Sequence, residues 1–487
     1  MSFNSSDFLI FFPIVVLIYF LIPQKLKNYW LLIASYYFYM CWNAKYALII
    51  LFSTIVTYLS GLALDTLQQR SADPLIMRKK KIVVAISVLL NLSLLFYFKY
   101  INFAIGILGD ALSVFHIQLN LPSVDILLPV GISFYTFQAL GYTIDVYRGD
   151  TCAEKNFFQY ALFVSFFPQL VAGPIERSSH LLQQLATPHK FNSEEAKSGL
   201  LLMLWGFFLK IVLADRIAIF VDWVYGDYHT FGGWYLIVAT ALFAIQIYCD
   251  FAGYSIIAMG AAQILGIRLM ENFQSPYLAV SVADFWRRWH ISLTSWFREY
   301  LYIPLGGNRR GRTRQIWNLF VVWSLTGLWH GASWNFVLWG IYYFILLTIE
   351  KIFLGEKLEQ LPGWLQHVYT CLVVLFGWVI FANENIADLG RYFLTMFGAN
   401  GALYNQTAIY QWYTHIPLLI VLIIGSTKLP KQLLRKGWTR LKLIDAISSH
   451  QEQIRFVAAS IFTVLVLYCS VAFLVSGSYN PFLYFRF

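Results

Sequence analysis

Two histidines in one apolar part of the chain are the side chains best suited to proton transfer. His290 and His330 each stand among tryptophans and aliphatic residues. Imidazole titrates nearest neutral pH, and an ionisable residue in a membrane segment is a functional-site hypothesis by default. The competing interpretation is that each histidine is a hydrogen-bonded packing residue. The sequence on either side of each histidine bears on this choice.

The sequence around His330 favours a site. Gly327 and Gly331 flank this histidine and weaken a helix there. The apolar run from 315 to 349 is also longer than the roughly 20 residues that cross a bilayer once. A helix break inside lipid is costly unless it lines a cavity. We therefore predict a break near Trp329 and Gly331 that holds His330 inside the membrane beside a cavity.

The sequence around His290 is less decisive. From Asp284 onward the spacing predicts one helix that places four apolar residues on one face, namely Trp286, Trp289, Leu293 and Trp296. On that helix Asp284 can pair with Arg288 one turn further on. Tryptophans at this spacing also fit a helix at a membrane interface. His290 supports the site predicted at His330, and simple packing stays open as the alternative.

Composition identifies the class of protein. Of the 487 residues, 59% are hydrophobic and 12% are charged, whereas soluble proteins are about 25% charged. The net charge of +10 arises from Lys and Arg in short loops between apolar runs. That pattern is the positive-inside bias of membrane proteins rather than a nucleic-acid interface. We predict an all-α polytopic membrane protein with about 11–12 transmembrane helices plus re-entrant or broken helices.

The chain reads as one unit. No internal repeat or soluble segment interrupts the apolar runs, so residues 1–487 are predicted to form a single integral-membrane domain. The five scattered cysteines show neither disulfide nor metal-ligand spacing, so we expect no metal site. The first apolar segment lacks a basic n-region and a cleavage motif, and we expect it to be retained.

Several polar residues fall inside predicted spans. Gln138, Tyr142 and Asp145 share one face of a helix, which indicates either an interfacial helix or a helix that lines a water-accessible cavity. The two prolines and the glycine of residues 166–176 predict a broken segment. An ionised Asp250 is expensive in lipid, so we expect it to face protein or water and to pair with an arginine or a histidine.

The charge pattern also predicts the orientation. Basic loops near residues 25–27 and 78–81 are placed in the cytoplasm, and the N-terminus and the tail 476–487 outside. A further basic loop between the two histidines is also cytoplasmic by this rule, and it contains Arg309, Arg310, Arg312 and Arg314. On the charge pattern alone, this loop is a topology signal.

These motifs resemble those of a known family. WRRWHISLTSWFREYLYIPLGGNR followed by LTGLWHGASWNFVLWG is similar to the signature of the membrane-bound O-acyltransferase (MBOAT) family, in the bacterial branch that O-acetylates alginate, peptidoglycan and other envelope polymers. LLPVGISFYTFQALGYTIDVYRG, FPQLVAGPI and FLYFRF extend the match over most of the chain. The resemblance implies helices around a central tunnel, a catalytic core at residues 124–350, and His290 and His330 as the signature pair, with His330 catalytic and Trp329 beside it as a tunnel residue.

The resemblance also implies the reaction. Acetyl-CoA would be the cytoplasmic acyl donor, with no permanently bound cofactor. The resemblance also raises the alternative that the basic loop lies near the entrance for this donor, whose phosphates suit arginine forks. A separate extracytoplasmic SGNH-type protein would pass the acetyl group to a polysaccharide, from an enzyme in the bacterial cytoplasmic membrane. D-alanyl transfer to teichoic acid is the alternative within the family. A solute transporter is a distant alternative, which predicts paired broken helices in corresponding halves of the chain.

The C-terminal PFLYFRF contains one further candidate. Charge alternation places this apolar segment outside, where aromatic residues favour the headgroup layer. Alternatively, the segment reaches back into the tunnel with Tyr484. A phenol deprotonated by histidine can accept an acyl group, and the resulting aryl ester stays activated because a phenol has a pKa of only about 10. Tyr484 is therefore a candidate acyl shuttle, and the resemblance is consistent with this role.

Overall fold

The computed structural model describes residues 1–70, 73–117, 124–171, 173–399 and 451–475, with isolated residues between 406 and 420. Throughout these residues the chain is helical and contains no β-strand. The predicted all-α class is therefore confirmed. The tail 476–487 with Tyr484 lies outside the described residues.

The described residues form the following helices. Their bounds are α1 Ser6–Leu21, α2 Gln24–Met40, α3 Ala47–Gln68, α4 Pro74–Leu95, α5 Ile101–Val114, α6 Ile132–Arg148, α7 Phe157–Ser165, α8 Phe167–Leu170, α9 Ser178–Ala186, α10 Ser193–Phe207, α11 Asp215–Gly226, α12 Gly233–Ile264, α13 Val282–Arg288, α14 Ile291–Phe297, α15 Arg312–His330, α16 Trp334–Ile349, α17 Gly355–Gln360, α18 Gly363–Ala382, α19 Ile386–Met396 and α20 Gln451–Val475.

Within the described part of the chain, five helical stretches are long and apolar enough to cross a bilayer. They are Ala44–Gln68, Pro74–Val114, Gly233–Ile264, Trp334–Gln360 and Gly363–Ala382. Shorter apolar helices, such as Ser6–Leu21, accompany them. Because helices satisfy their own backbone hydrogen bonds, this architecture suits lipid. The chain is a helical membrane protein.

Helix α12 is the most deeply buried of the five stretches, with 78% of its apolar window inside the protein. It packs against α10 through glycines on both helices. A Cβ atom added at Gly253 would lie 2.9 Å from the carbonyl oxygen of Gly206. Small residues allow this close approach, which is the usual way for membrane helices to gain packing contacts. One end of the candidate site is thereby attached to a rigid centre, since Phe251 of α12 contacts it.

Among the described residues, four π-helical turns interrupt the helices, and each contains a charged residue that makes contacts outside its own turn or lines a cavity. The turns are Phe96–Tyr100, Phe208–Ala214, Arg298–Tyr302 and Glu350–Leu354. Such turns displace a side chain from the regular helical register and are frequent at functional sites. Here they present Lys99, Lys210, Arg298 and Glu350.

Lys210 explains how Asp250 is accommodated. The Lys210 Nζ lies 2.8 Å from an Asp250 carboxylate oxygen and 2.7 Å from Asp215, and all three side chains are at most 4% exposed. The prediction that Asp250 faces protein and is paired is correct. The predicted partner type, arginine or histidine, is wrong for this contact, because the π-helical turn brings a lysine to it.

The polar face of α6 is buried in protein rather than open to a cavity. Gln138 donates to the Phe163 carbonyl at 2.6 Å and also contacts Gln169. Tyr142 accepts a hydrogen bond from the Glu154 amide, and Asp145 accepts one from Ser178 at 2.6 Å. None of the three α6 residues lines the cavities described below. Their hydrogen bonds hold segments on either side of the break predicted at residues 166–176. That break is confirmed by the end of α7 at Ser165 and by the short α8.

Candidate active site

The predicted helix break at His330 is present. Helix α15 ends at His330, Gly331 is extended, and α16 begins at Trp334. Gly327 does not weaken the helix as predicted, because α15 continues through it. An added Cβ there would overlap the Phe336 carbonyl oxygen of α16. Gly327 therefore allows the two arms of the break to pack closely, and the break itself occurs at Gly331.

His330 is buried among aromatic rings. The imidazole is 4% exposed, and its ring centre lies 5.0 Å from that of Trp329, 4.9 Å from Trp339 and 5.4 Å from Phe381. Edge-to-face contacts of this kind fix a ring without using its nitrogens. These contacts hold the imidazole in place.

The carbonyl groups at the C-terminal end of α15 receive hydrogen bonds from a neighbouring helix. The last carbonyls of a helix have no intrahelical partner, and in lipid they need one. Tyr100 donates to the Leu328 carbonyl at 2.7 Å. The Lys99 Nζ donates to the Trp329 carbonyl at 2.6 Å and to the His330 carbonyl at 3.0 Å. The π-helical turn after α4 therefore closes the end of α15.

His290 lies at a second break, which the sequence did not predict. The single helix expected from Asp284 is wrong: α13 ends at Arg288, His290 has a left-handed φ of 45°, and α14 begins at Ile291. Non-glycine residues seldom adopt this conformation, and when they do it often marks a functional or strained position. The regular tryptophan spacing concealed the break because it continues across it.

His290 faces the same aromatic cluster as His330. It is 1% exposed, and its ring lies 4.6 Å from Phe251 and 5.8 Å from Trp329. Neither ring nitrogen has a hydrogen-bond partner among the described residues. Trp329 contacts both histidines, so the predicted pair and the predicted tunnel residue are brought together.

A small cavity opens on one side of His330. Its volume is about 40 Å³, and it is lined by Lys99, Trp329, His330 and residues 128–134. This is enough room for one or two small polar groups. Gly131, the N-cap residue of α6, lies there with a φ of 75°. The start of a helix therefore borders the same cavity.

A much larger cavity lies on the other side of the aromatic cluster. Its volume is about 570 Å³. Trp286, Trp323 and Thr326 form part of its apolar wall, and Arg287, Arg298, Glu350 and Lys351 contribute charge. The three cationic side chains are exposed. The cavity therefore combines an apolar interior with a positively charged rim.

Tryptophans separate the two cavities. Trp286 and Trp323 have ring centres 4.8 Å apart, Trp286 and Trp339 5.4 Å, and Trp339 touches His330. We call Trp286, Trp323 and Trp339 the tryptophan partition. In the described part of the chain, this partition stands between the small cavity at His330 and the large cavity.

The basic loop does not line the large cavity. Arg309, Arg310, Arg312 and Arg314 are all exposed, and Arg314 donates to the Leu305 carbonyl at 3.3 Å. The cations at the large cavity are Arg287, Arg298 and Lys351 instead. The sequence did not identify these three cations, because each lies among residues whose pattern is typical of an ordinary helix end.

Two carboxylates hold the segment that leads to His290. Glu350 accepts hydrogen bonds from the Val282 amide at 2.7 Å and the Ala283 amide at 3.0 Å, at the start of α13. The predicted pair of Asp284 with Arg288 is confirmed at 2.9 Å. Burial opposes ionisation of Asp284, yet its hydrogen bonds from Arg288 and Arg287 hold the pKa of this carboxyl below its usual value.

Lys99 is the site residue that sequence reasoning missed altogether. A signal was present, since Lys99 is a single cation within the apolar helical stretch Ile82–Val114, and an ionisable residue inside a membrane helix is a site hypothesis by default. Its partner carbonyls lie about 230 positions further on, at a distance that no local pattern reports.

Comparisons with known proteins identify relatives of this chain. Residues 154–381 match the model of the MBOAT, membrane-bound O-acyltransferase family. The probable alginate O-acetylase AlgI of Pseudomonas putida is 33% identical, with all of both chains aligned. The peptidoglycan O-acetyltransferase of Helicobacter pylori is 31% identical over 82% of this chain and 80% of its own. The teichoic acid D-alanyltransferase of Bacillus subtilis is 27% identical over 55% of this chain and 72% of its own.

Proposed function

The chain belongs to the membrane-bound O-acyltransferase family, and on this premise we propose that it moves acetyl groups from cytoplasmic acetyl-CoA to the outside for O-acetylation of a cell-envelope polysaccharide. The observation that carries the proposal is the position of His330, which lines a narrow cavity and is separated by the tryptophan partition from a wide cavity with a cationic rim. The names of the alginate and peptidoglycan relatives support acetyl as the acyl group.

The large cavity is the proposed donor entrance. Helix α15 starts at Arg312, within the basic loop, and the positive-inside bias assigns that end of the helix to the cytoplasm. Arg287, Arg298 and Lys351 at the rim suit the phosphates of CoA. The apolar wall with Trp286 suits the thioester arm. The basic loop is then a topology signal, outside the donor path.

His330 is the proposed base. Its imidazole takes the proton of the acceptor hydroxyl as the hydroxyl oxygen attacks the thioester carbonyl carbon. A new C–O bond forms and the carbonyl oxygen becomes an oxyanion. When the oxyanion collapses, the C–S bond breaks and the CoA thiolate leaves. The thiolate recovers the proton from the imidazolium, so the histidine returns to its starting state.

Tyr484 is the proposed first acceptor. Its phenol would take the acetyl group at His330, and a serine of an extracytoplasmic SGNH-type partner would then take it from the aryl ester. The test is Tyr484→Phe, which keeps the ring and deletes the hydroxyl. We expect loss of polymer acetylation, and an acetyl adduct on the wild-type C-terminal peptide by mass spectrometry. Full polymer acetylation by Tyr484→Phe would exclude the shuttle.

The reaction itself is tested with membranes or purified protein supplied with acetyl-CoA. Release of free CoA thiol by the wild type and its absence in His330→Ala are the expected results. In cells, the O-acetyl content of envelope and secreted polysaccharides should fall in a deletion strain. D-alanyl esters in place of acetyl esters would instead favour the alternative that the Bacillus subtilis relative suggests.

A further inference from the structure

Lys99 stands out because it is a costly way to satisfy backbone carbonyls. The end of α15 needs hydrogen-bond donors, but a neutral hydroxyl is sufficient, as Tyr100 shows for the Leu328 carbonyl. An ammonium in a membrane helix costs far more than a hydroxyl. A π-helical turn is also needed to direct Lys99 to its partners. Capping alone does not account for a charge at this position.

The ammonium is placed where charge develops in acyl transfer. Lys99 donates to the carbonyl of His330 itself, at 3.0 Å, and lines the same small cavity as that histidine. A lysine has three N–H donors. Among the described residues two of them serve the Trp329 and His330 carbonyls. The third is available to the cavity.

We propose that Lys99 is a further residue of the reaction centre: it positions His330 through its backbone and stabilises the oxyanion of acyl transfer with its charge and third N–H. The assignment rests on the acyl transfer proposed for His330. A fixed donor aimed at a developing oxyanion acts strongly in a site with little water, because it needs no reorganisation during the reaction. The start of α6 at Gly131 faces the same cavity and adds to the positive potential there.

Three substitutions at Lys99 separate charge from hydrogen bonding. Lys99→Met removes both, Lys99→Gln keeps two N–H donors without charge, and Lys99→Arg keeps both. We expect Lys99→Met and Lys99→Gln to lower kcat for acetyl-CoA by about 10²- to 10³-fold, the usual loss of one oxyanion donor, with KM little changed. Lys99→Arg should recover a substantial part of kcat.

Tyr100→Phe is the matched control. It removes a neighbouring cap of the same helix end and leaves the charge in place, so kcat should fall by no more than about 5-fold, with a modest loss of thermal stability from one hydrogen bond. A kcat within about 5-fold of the wild type for Lys99→Gln would overturn the role in catalysis. Equal losses in Lys99→Gln, Lys99→Arg and Tyr100→Phe would also overturn it and leave only a structural cap.

The test separates this inference from the proposed donor. If the wild type releases no CoA from acetyl-CoA, the donor assignment fails. The Lys99 variants are then ranked by total O-acyl ester on envelope polymers, which does not depend on the donor. Should Lys99→Gln acylate polymers as well as the wild type in that assay, the inference fails on its own account.

Discussion

The two histidines occupy helix breaks of opposite character. The break at His330 is closed by donors from another helix and opens on a cavity. The break at His290 has a left-handed φ of 45°, and no described residue bonds its ring nitrogens. Both rings touch Trp329. The break at His330 leaves its imidazole beside a cavity, whereas the break at His290 packs its imidazole among aromatic rings.

On the proposed function, this difference gives His330 and His290 different roles. His330 has a cavity and fixed geometry beside it, which a general base requires. His290 has burial, aromatic contacts and a strained backbone, which are the marks of a shape-determining residue. The pair in the family signature therefore does not imply two equal catalytic groups, and each of the following experiments tests that statement.

The largest expected effect is at His330. His330→Ala should lower acyl transfer by about 10³-fold or more, because it removes the base, while the protein still inserts and keeps its thermal stability. Polymer ester content and CoA release measure the loss, and size-exclusion chromatography in detergent checks the fold. Near wild-type acylation by a well-folded His330→Ala protein would remove the assignment and, with it, the distinction between the two breaks.

At His290 we expect a smaller loss that accompanies loss of stability. His290→Ala leaves a void beside Phe251 and should lower activity by about 10- to 100-fold together with the Tm. His290→Asn should be milder, because asparagine tolerates a left-handed φ. Thermal unfolding in detergent and acyl transfer are measured on both variants. Activity as low as in His330→Ala, at an unchanged Tm, would show that His290 is a second chemical group.

Substitutions at the proposed donor entrance should change the KM for acetyl-CoA and leave both helix breaks intact. Charge reversal of Arg298 and Lys351, which border the large cavity, should raise the KM for acetyl-CoA by about 10-fold, the effect of losing contacts to phosphate. The same reversal of Arg309 and Arg310 is the matched control, and donor kinetics should stay unchanged. A raised KM in the loop variant alone would restore the loop as the donor entrance.

The smallest effect is expected where the two arms of the His330 break pack together. Gly327→Ala adds a methyl group against the Phe336 carbonyl and should destabilise the protein by about 1–3 kcal/mol. Gly363→Ala is the control, since an added Cβ there meets nothing within 4 Å. The measurement is thermal unfolding of each variant. Equal Tm values would mean that the arms are free to separate.

Periodicity and composition were sufficient for some of these features. The apolar runs predicted the helical membrane fold, and the excess length after residue 315 predicted the break at His330. The pair of Asp284 and Arg288 followed from a spacing of four. In each case the signal and its consequence lie close together in the sequence.

Features that depend on two distant segments were not predicted. The break at His290 was hidden by tryptophans that keep helical spacing across it. Lys99 caps carbonyls of a helix far along the chain, and Lys210 reaches Asp250 from another π-helical turn. The face of α6 that contains Gln138 was predicted to face water, because the hydrogen-bond partner of Gln138, the Phe163 carbonyl, belongs to a different helix. Polar side chains in apolar runs reveal that a partner exists but not which one.

The tryptophan partition has a consequence for the cell that holds this protein. A continuous wet passage across a membrane would conduct protons and small ions, and each charge that crosses a potential of 100 mV dissipates about 2.3 kcal/mol. Bulky indoles stand between the two cavities, with centres 4.8 and 5.4 Å apart. On the proposed function, the acetyl group is passed on by acyl transfer, so no open aqueous passage is needed. Thinning this layer, as in Trp286→Ala, should make vesicles leak protons even with no substrate present.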